Sequence, residues 1–144
     1  MLKIKSFTFN PYQENTYLIF DDSKEAVVID PGNYEAYENE SISKFIDENK
    51  LQLKKIILTH CHIDHCLGNK YLNEKYGAEL LIPFDERNLY KNVEKLSDSV
   101  FPDLKVDQIS LAKEDVIYYV SGTKEEMIAE VESNKTQDHH IEKE

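Results

Sequence analysis

Leu53-Lys54-Lys55-Ile56-Ile57-Leu58 runs directly into Thr59-His60-Cys61-His62-Ile63-Asp64-His65-Cys66-Leu67-Gly68, and this junction decides how the chain is read. Lysines apart, the first six residues are an apolar run of strand length, which suits a strand buried on both faces. The next ten hold a dense group of metal-ligand side chains, placed where that strand runs out into a loop. Three of the chain's five histidines fall within six residues. Side chains alternate along extended backbone, so His60 and His62 project to one side with converging imidazoles while Cys61 points the other way. Asp64 and His65 come next as the chain turns toward Gly68. A lone histidine is ordinarily a surface or core residue, but four candidate ligands at a strand terminus have no packing motive. Three nitrogen donors and one oxygen donor suit zinc, as one or two ions, with iron or manganese as alternatives.

Working toward the N-terminus, three short runs rich in β-branched and aromatic residues read as a β-meander: Ile4 to Phe9, Tyr17 to Phe20, and Ala26 to Ile29. Polar turns such as Asp21-Asp22-Ser23-Lys24 separate them. Asp30-Pro31-Gly32-Asn33 stops the third strand, since proline cannot continue a central ladder. A helix is predicted from about Glu35 to Asn49, with Ile42, Phe45 and Ile46 on one side. Toward the C-terminus, Gly68 to Tyr76 reads as a short helix stopped by Gly77, and Ala78 to Ile82 as a strand. A further amphipathic helix is expected around Asp85 to Leu96, carrying Leu89, Val93 and Leu96, and a last strand over Val116 to Val120. Strand and helix alternating after an antiparallel start predict a mixed α/β (α+β) sheet.

The composition narrows the partners. The chain has 144 residues, 28 acids against 17 bases and a formal net charge of -11. Such an excess repels phosphate backbones, so nucleic acid and anionic membrane surfaces are poor partners. No run approaches the roughly 20 apolar residues of a membrane span, and Met1-Leu2-Lys3-Ile4-Lys5 lacks the apolar core of a signal peptide, so a cytoplasmic protein is expected. Cys61 and Cys66 are read as reduced thiols, because a bridge would have to bend the histidine segment against its own side-chain directions. Residues 113–144 hold nine acids and four lysines. Thr123 to Glu126 is a plausible capping box for a short helix over Met127, Ile128 and Val131, followed by a solvated acidic tail. The expected division is therefore a domain over residues 1–120 and a short helix with a disordered tail over 121–144.

Thr59 to Gly68 matches T-H-x-H-x-D-H-x-x-G, and so resembles the signature of the metallo-β-lactamase superfamily. Asn10-Pro11, Asn15-Thr16-Tyr17-Leu18, Val28-Ile29-Asp30-Pro31-Gly32 and Tyr76-Gly77-Ala78 are similar to the corresponding segments of its glyoxalase II-like (hydroxyacylglutathione hydrolase-like) branch. The resemblance covers residues 1 to 95 well and 96 to 120 weakly. It implies an αββα sandwich with a dinuclear metal site at one edge. By that resemblance His60 and His62 bind the first metal, Asp64 and His65 the second, and Asp30 lies behind them, orienting ligands. Asp64 takes the role of proton shuttle by the same analogy. Taken alone, Asp30 reads equally well as an Asx cap of a strand-ending turn.

The implied chemistry is metal-assisted hydrolysis of a small-molecule thioester or related ester. The family's later ligands, a Pro-Gly-His-like loop, an aspartate after a glycine and a final histidine, have no counterpart; the later histidines are the adjacent pair His139-His140. The sandwich is accordingly expected to be complete only in its first half, with self-association through the uncovered sheet face. A catalytically incomplete metal-binding remnant or interaction fragment is the alternative function, and a metal or redox sensor built on Cys61 and Cys66 a third.

Overall fold

The computed structural model describes residues 1–92 and 117–120, the last four through their backbone pairing alone. Six strands form one sheet in the order β1-β2-β3-β4-β5-β6: Lys3–Phe9, Glu14–Phe20, Glu25–Ile29, Gln52–Ile57, Glu79–Pro83 and Ile117–Val120. The first three are antiparallel neighbours, as the meander reading expects, and from β3 onward every pairing is parallel. Parallel neighbours need a crossover, and helices supply it: α1 over Ala36–Glu48 between β3 and β4, and α2 over Asn69–Tyr76 between β4 and β5.

α1 forms where the spacing predicts it. Ile42 and Ile46 are fully buried on its inner face, with Phe45 half-buried beside them. Its start is held by Glu38, whose Oε1 accepts the backbone N–H of Tyr34 (2.9 Å) and of Glu35 (3.1 Å). α2 ends at Gly77, which takes the left-handed conformation (φ 69°) that favours glycine, its N–H returning to the Asn73 carbonyl at 2.8 Å. The helix expected around Asp85 is a 3-10 turn, Phe84–Glu86, leading into α3, Arg87–Lys91. Val93, Leu96, the capping box at Thr123 and the acidic tail lie outside the described residues.

One core unites the helices with one face of the sheet. Phe7, Phe9, Leu18, Val28, Leu53, Ile56, Leu80 and Ile82 from the strands meet Ile42, Ile46, Leu72 and Tyr90 from the helices. On the opposite face Leu81 packs with the half-buried Ile57. Among the described residues this is one helix layer on one sheet, the first half of the expected sandwich. β4 is not buried on both faces as its composition suggests. The register with β3 slips between Ala26 and Val27, pairing Leu53 and then Lys55. That irregularity skips Lys54 and leaves it exposed, with Lys55 half-buried and ion-paired to Glu79. No described helix is long and apolar enough to cross a membrane.

Candidate metal centre

The carboxyl ends of parallel strands are where an open α/β sheet places its ligand crevice, and here β3 and β4 end side by side. β3 gives way to Asp30, whose N–H continues the ladder to the Ile57 carbonyl at 3.0 Å while its own φ turns to 52°. A left-handed aspartate costs on the order of 1–2 kcal/mol against ordinary backbone, and the bonds of its side chain offset this. Oδ1 accepts the Thr59 backbone N–H at 2.8 Å and Oδ2 accepts the Thr59 hydroxyl at 2.5 Å. Asp30 thus reaches 29 residues along the chain to the start of the histidine segment, which a local Asx cap would not do.

That contact orients His60. The single hydroxyl proton of Thr59 goes to Asp30, so the oxygen accepts from His60 Nδ1, 2.9 Å away. The His60 proton then sits on Nδ1 and the Nε2 lone pair is free for a cation. Burial holds the His60 imidazole below its ordinary pKa, helped by His65 and opposed by Asp30, which keeps that lone pair available.

His62 ends the extended stretch and leads into a 3-10 turn, Ile63–His65, with the His65 N–H bonded to the His62 carbonyl at 2.9 Å. The turn swings His65 back beside His60, their ring centroids 4.2 Å apart, while His62 stands edge-on to His60 at 4.5 Å. His65 Nδ1 lies 3.2 Å from Asp30 Oδ2 and 3.4 Å from Glu14 Oε1; its Nε2 lies 3.4 Å from Asp64 Oδ2. The Asp30 carboxylate beside Nδ1 raises the His65 pKa against the effect of burial, with Asp64 adding to the rise. Cys61 turns the opposite way, as alternation predicts, and both cysteines are free and buried in the core. Burial, with a hydrogen bond donated to Cys61, pushes the Cys66 thiol well up.

One donor atom from each of Asp30, His60 and His65 falls within 4.8 Å of the others, and this is the tightest such grouping among the described residues. Donors on one tetrahedral zinc, with bonds of about 2.0–2.2 Å, stand about 3.3–3.6 Å apart, so side-chain rotations that move the donor atoms by about 1 Å would close the gap. Buried Glu14 Oε1 and His65 Nδ1 also lack a hydrogen-bond partner by geometry. Three carboxylates facing convergent imidazoles suit a divalent cation, and the residues present fit one. Of the sequence-predicted ligands, His60 and His65 belong to the tight group, while His62 and Asp64 flank it. His139 and His140 lie outside the described residues.

Of three further contributors, Asn10 stands out in the sequence only through the resemblance, and Glu86 and Glu14 not at all. Asn10 Nδ2 donates to the carbonyls of Gly32 (3.0 Å) and Asp64 (2.9 Å), tying the β1–β2 turn to the metal loop. Glu86 accepts the Cys61 N–H at 2.9 Å. Glu14 is buried, and burial pushes its carboxyl up to about 8 against the lowering effects of Thr16 and His65. A signal for Glu14 existed: it occupies the inward position of a period-two strand whose other inward residues, Thr16 and Leu18, are buried. Gly32 answers to the same packing, since a Cβ there would lie 2.2 Å from Glu14 Oε2 and 2.6 Å from the Asp64 carbonyl.

The chain is similar to hydroxyacylglutathione hydrolase GloC of Haemophilus influenzae, 37% identical over 79 residues, 55% of this chain and 35% of that one. Hydroxyacylglutathione hydrolase 1 of Vibrio vulnificus is 42% identical over 86 residues, 58% and 32% of the two chains. The chain thus spans about a third of the length of these curated relatives. Among solved structures, TTHA1623 in a di-iron-bound form superposes with a TM-score of 0.61 at 25% identity, covering 75% of this chain and 51% of that one. The BLEG-1 B3 metallo-beta-lactamase gives 0.55 at 28% identity, over 60% and 40%. The metallo-beta-lactamase superfamily model matches residues 9–139. Strand ends, histidine loop and helix layer agree with that match, and the chain belongs to the metallo-beta-lactamase superfamily.

Proposed function

We propose that the chain carries the metal-binding half of a metal-dependent hydrolase that cleaves a small-molecule thioester or related ester. The observation that carries this reading is the convergence of Asp30, His60 and His65 donor atoms at the carboxyl ends of β3 and β4. His60, His62, Asp64 and His65 are the ligands, and zinc is the first choice of ion, with iron supported by the di-iron form of TTHA1623. Bound there, a divalent ion would polarise a carbonyl and make water nucleophilic near neutral pH. The chain's own residues do the rest. Thr59 and Asp30 hold His60 with Nε2 forward, and Asn10 holds the Asp64 backbone. Asp64 Oδ2, half-buried beside His65 Nε2, is placed to receive a proton. The thioester class rests on the hydroxyacylglutathione hydrolases among the relatives. Two buried free thiols suit a reducing compartment, and we place the protein in the cytoplasm.

The test is metal analysis of the purified chain after zinc loading, beside thioester hydrolysis followed by thiol release. Stoichiometric retained zinc is expected, with loss of both metal and hydrolysis in the double variant His60→Ala, His62→Ala. No retained metal after loading, or hydrolysis unchanged in the double variant, would refute the reading.

A further inference from the structure

A carboxyl group buried away from water is costly unless something holds it there, and Glu14 Oε1 is buried with no hydrogen-bond partner. The Thr16 hydroxyl accepts the Gly32 N–H at 2.9 Å and donates to Glu14 Oε2 at 2.7 Å or to the Asp30 carbonyl at 3.0 Å. With the proton on the Glu14 side, the Glu14 side chain is fixed in direction. Its other oxygen, Oε1, has no solvent contact and no geometric hydrogen bond, and it lies 3.4 Å from His65 Nδ1, which is equally without a partner. Two buried polar atoms, one an acceptor and one able to carry a proton, thus face each other across slightly more than bonding distance.

Asp30 Oδ2 is nearer to His65 Nδ1, at 3.2 Å, but it is already engaged. It accepts the Thr59 hydroxyl, and Asp30 itself belongs to the tight donor group. Any share Asp30 takes in holding a cation reduces what it can offer His65. Glu14 has no such second duty, and the absence of a side chain at Gly32 is what lets it lie there.

We propose that Glu14 is a positioning residue that accepts the Nδ1 proton of His65 and so keeps His65 Nε2 bare and turned toward the cation. This rests on the reading of His65 as a metal ligand. The bond it adds is of the carboxylate–histidine–metal kind, whose loss ordinarily weakens metal binding without removing a ligand.

The experiment uses the full chain, with Glu14→Gln and Glu14→Met beside the parent. Gln keeps an acceptor oxygen of the same shape, and Met keeps the volume but offers no such oxygen. Zinc affinity, read by competition with a chromophoric chelator, is expected to fall about 10–100-fold in Glu14→Met and to stay within about threefold of the parent in Glu14→Gln. Separately, nitrogen-15 spectra of the metal-free protein at about pH 9, above the ordinary histidine range, report which ring nitrogen of His65 is protonated. Nδ1 is expected in the parent and in the Gln variant, with a shift toward Nε2 in the Met variant. A parent His65 protonated on Nε2, or Gln weakening zinc as much as Met, overturns the proposal. The spectra need no metal and no stable Met variant, so they decide the role of Glu14 even if the parent fails to bind zinc, which would instead refute the proposed function.

Discussion

Gly68 closes the metal loop at the start of α2, and replacing it with alanine tests how tightly the loop is packed. Its φ of -92° is open to any residue, so the substitution carries no backbone strain. Sterics decide the outcome. A Cβ at this position would sit 1.8 Å from Asn33 Oδ1 and 2.4 Å from Asn33 Cγ, where non-bonded contacts settle at about 3.5–4.0 Å. Asn33 is fully buried and donates through Nδ2 to Asn39 Oδ1 at 2.7 Å, so it cannot swing into solvent. Gly68 itself is held by its N–H bond to the Pro31 carbonyl at 2.8 Å. Overpacking of this kind costs about 1–3 kcal/mol, and the smaller unfolded-state entropy of alanine returns about 0.4–1. A contact of 1.8 Å puts the cost at the upper end of that range, so Gly68→Ala is expected to lose about 2 kcal/mol, read by urea denaturation of chelator-treated protein with circular dichroism. Asn33→Ala alone should lose about 1 kcal/mol with its hydrogen bond, yet it removes the obstructing atoms. The double variant should be less destabilised than the sum of the two by at least about 1 kcal/mol. A Gly68→Ala protein within about 0.5 kcal/mol of the parent, or strict additivity, would refute the steric argument.

Two further outcomes are expected. Thr59→Val keeps the β-branched shape but removes the hydroxyl between Asp30 and His60, and zinc affinity by chelator competition should fall about tenfold or more; an unchanged affinity would mean that the hydroxyl does not set the His60 tautomer. Far from that site, Tyr76 donates its phenolic proton to Asp47 Oδ1 at 2.9 Å, and burial foremost pushes its pKa up from 10 to about 12. The folded state thus favours the protonated ring, so this contribution is full below pH 10 and is lost as pH rises through about 12. The stability lead of the parent over Tyr76→Phe should fade across that window in denaturation curves, and a lead that grows with pH would contradict the sign.

Much of the architecture is legible from local pattern. Period-two alternation marks Phe7 and Phe9 and then Thr16 and Leu18 as inward, and helical spacing marks Ile42 and Ile46, because burial on one face is the same force that arranges these positions. The histidine segment is legible because its donors are adjacent in sequence. The illegible part is set by register and by long-range polar bonds. The slip that frees Lys54 depends on how β3 meets β4, which no single run encodes. Asp30 taken alone reads equally well as a turn cap, and only the resemblance sets it behind the ligands, until its left-handed φ and its bonds to Thr59 appear. Glu14 goes unmarked because acids are ordinarily surface residues, although its place in the alternation points inward.

The ties from Asp30 to Thr59 and from Asn10 to Asp64 join positions 29 and 54 residues apart. Closing such spans is slow, because chain entropy is lost before the contact forms. The histidines can gather locally, but the geometry that aims them matures only once β3 and β4 have aligned. Capture of an ion by this loop during refolding should therefore lag behind the appearance of helix.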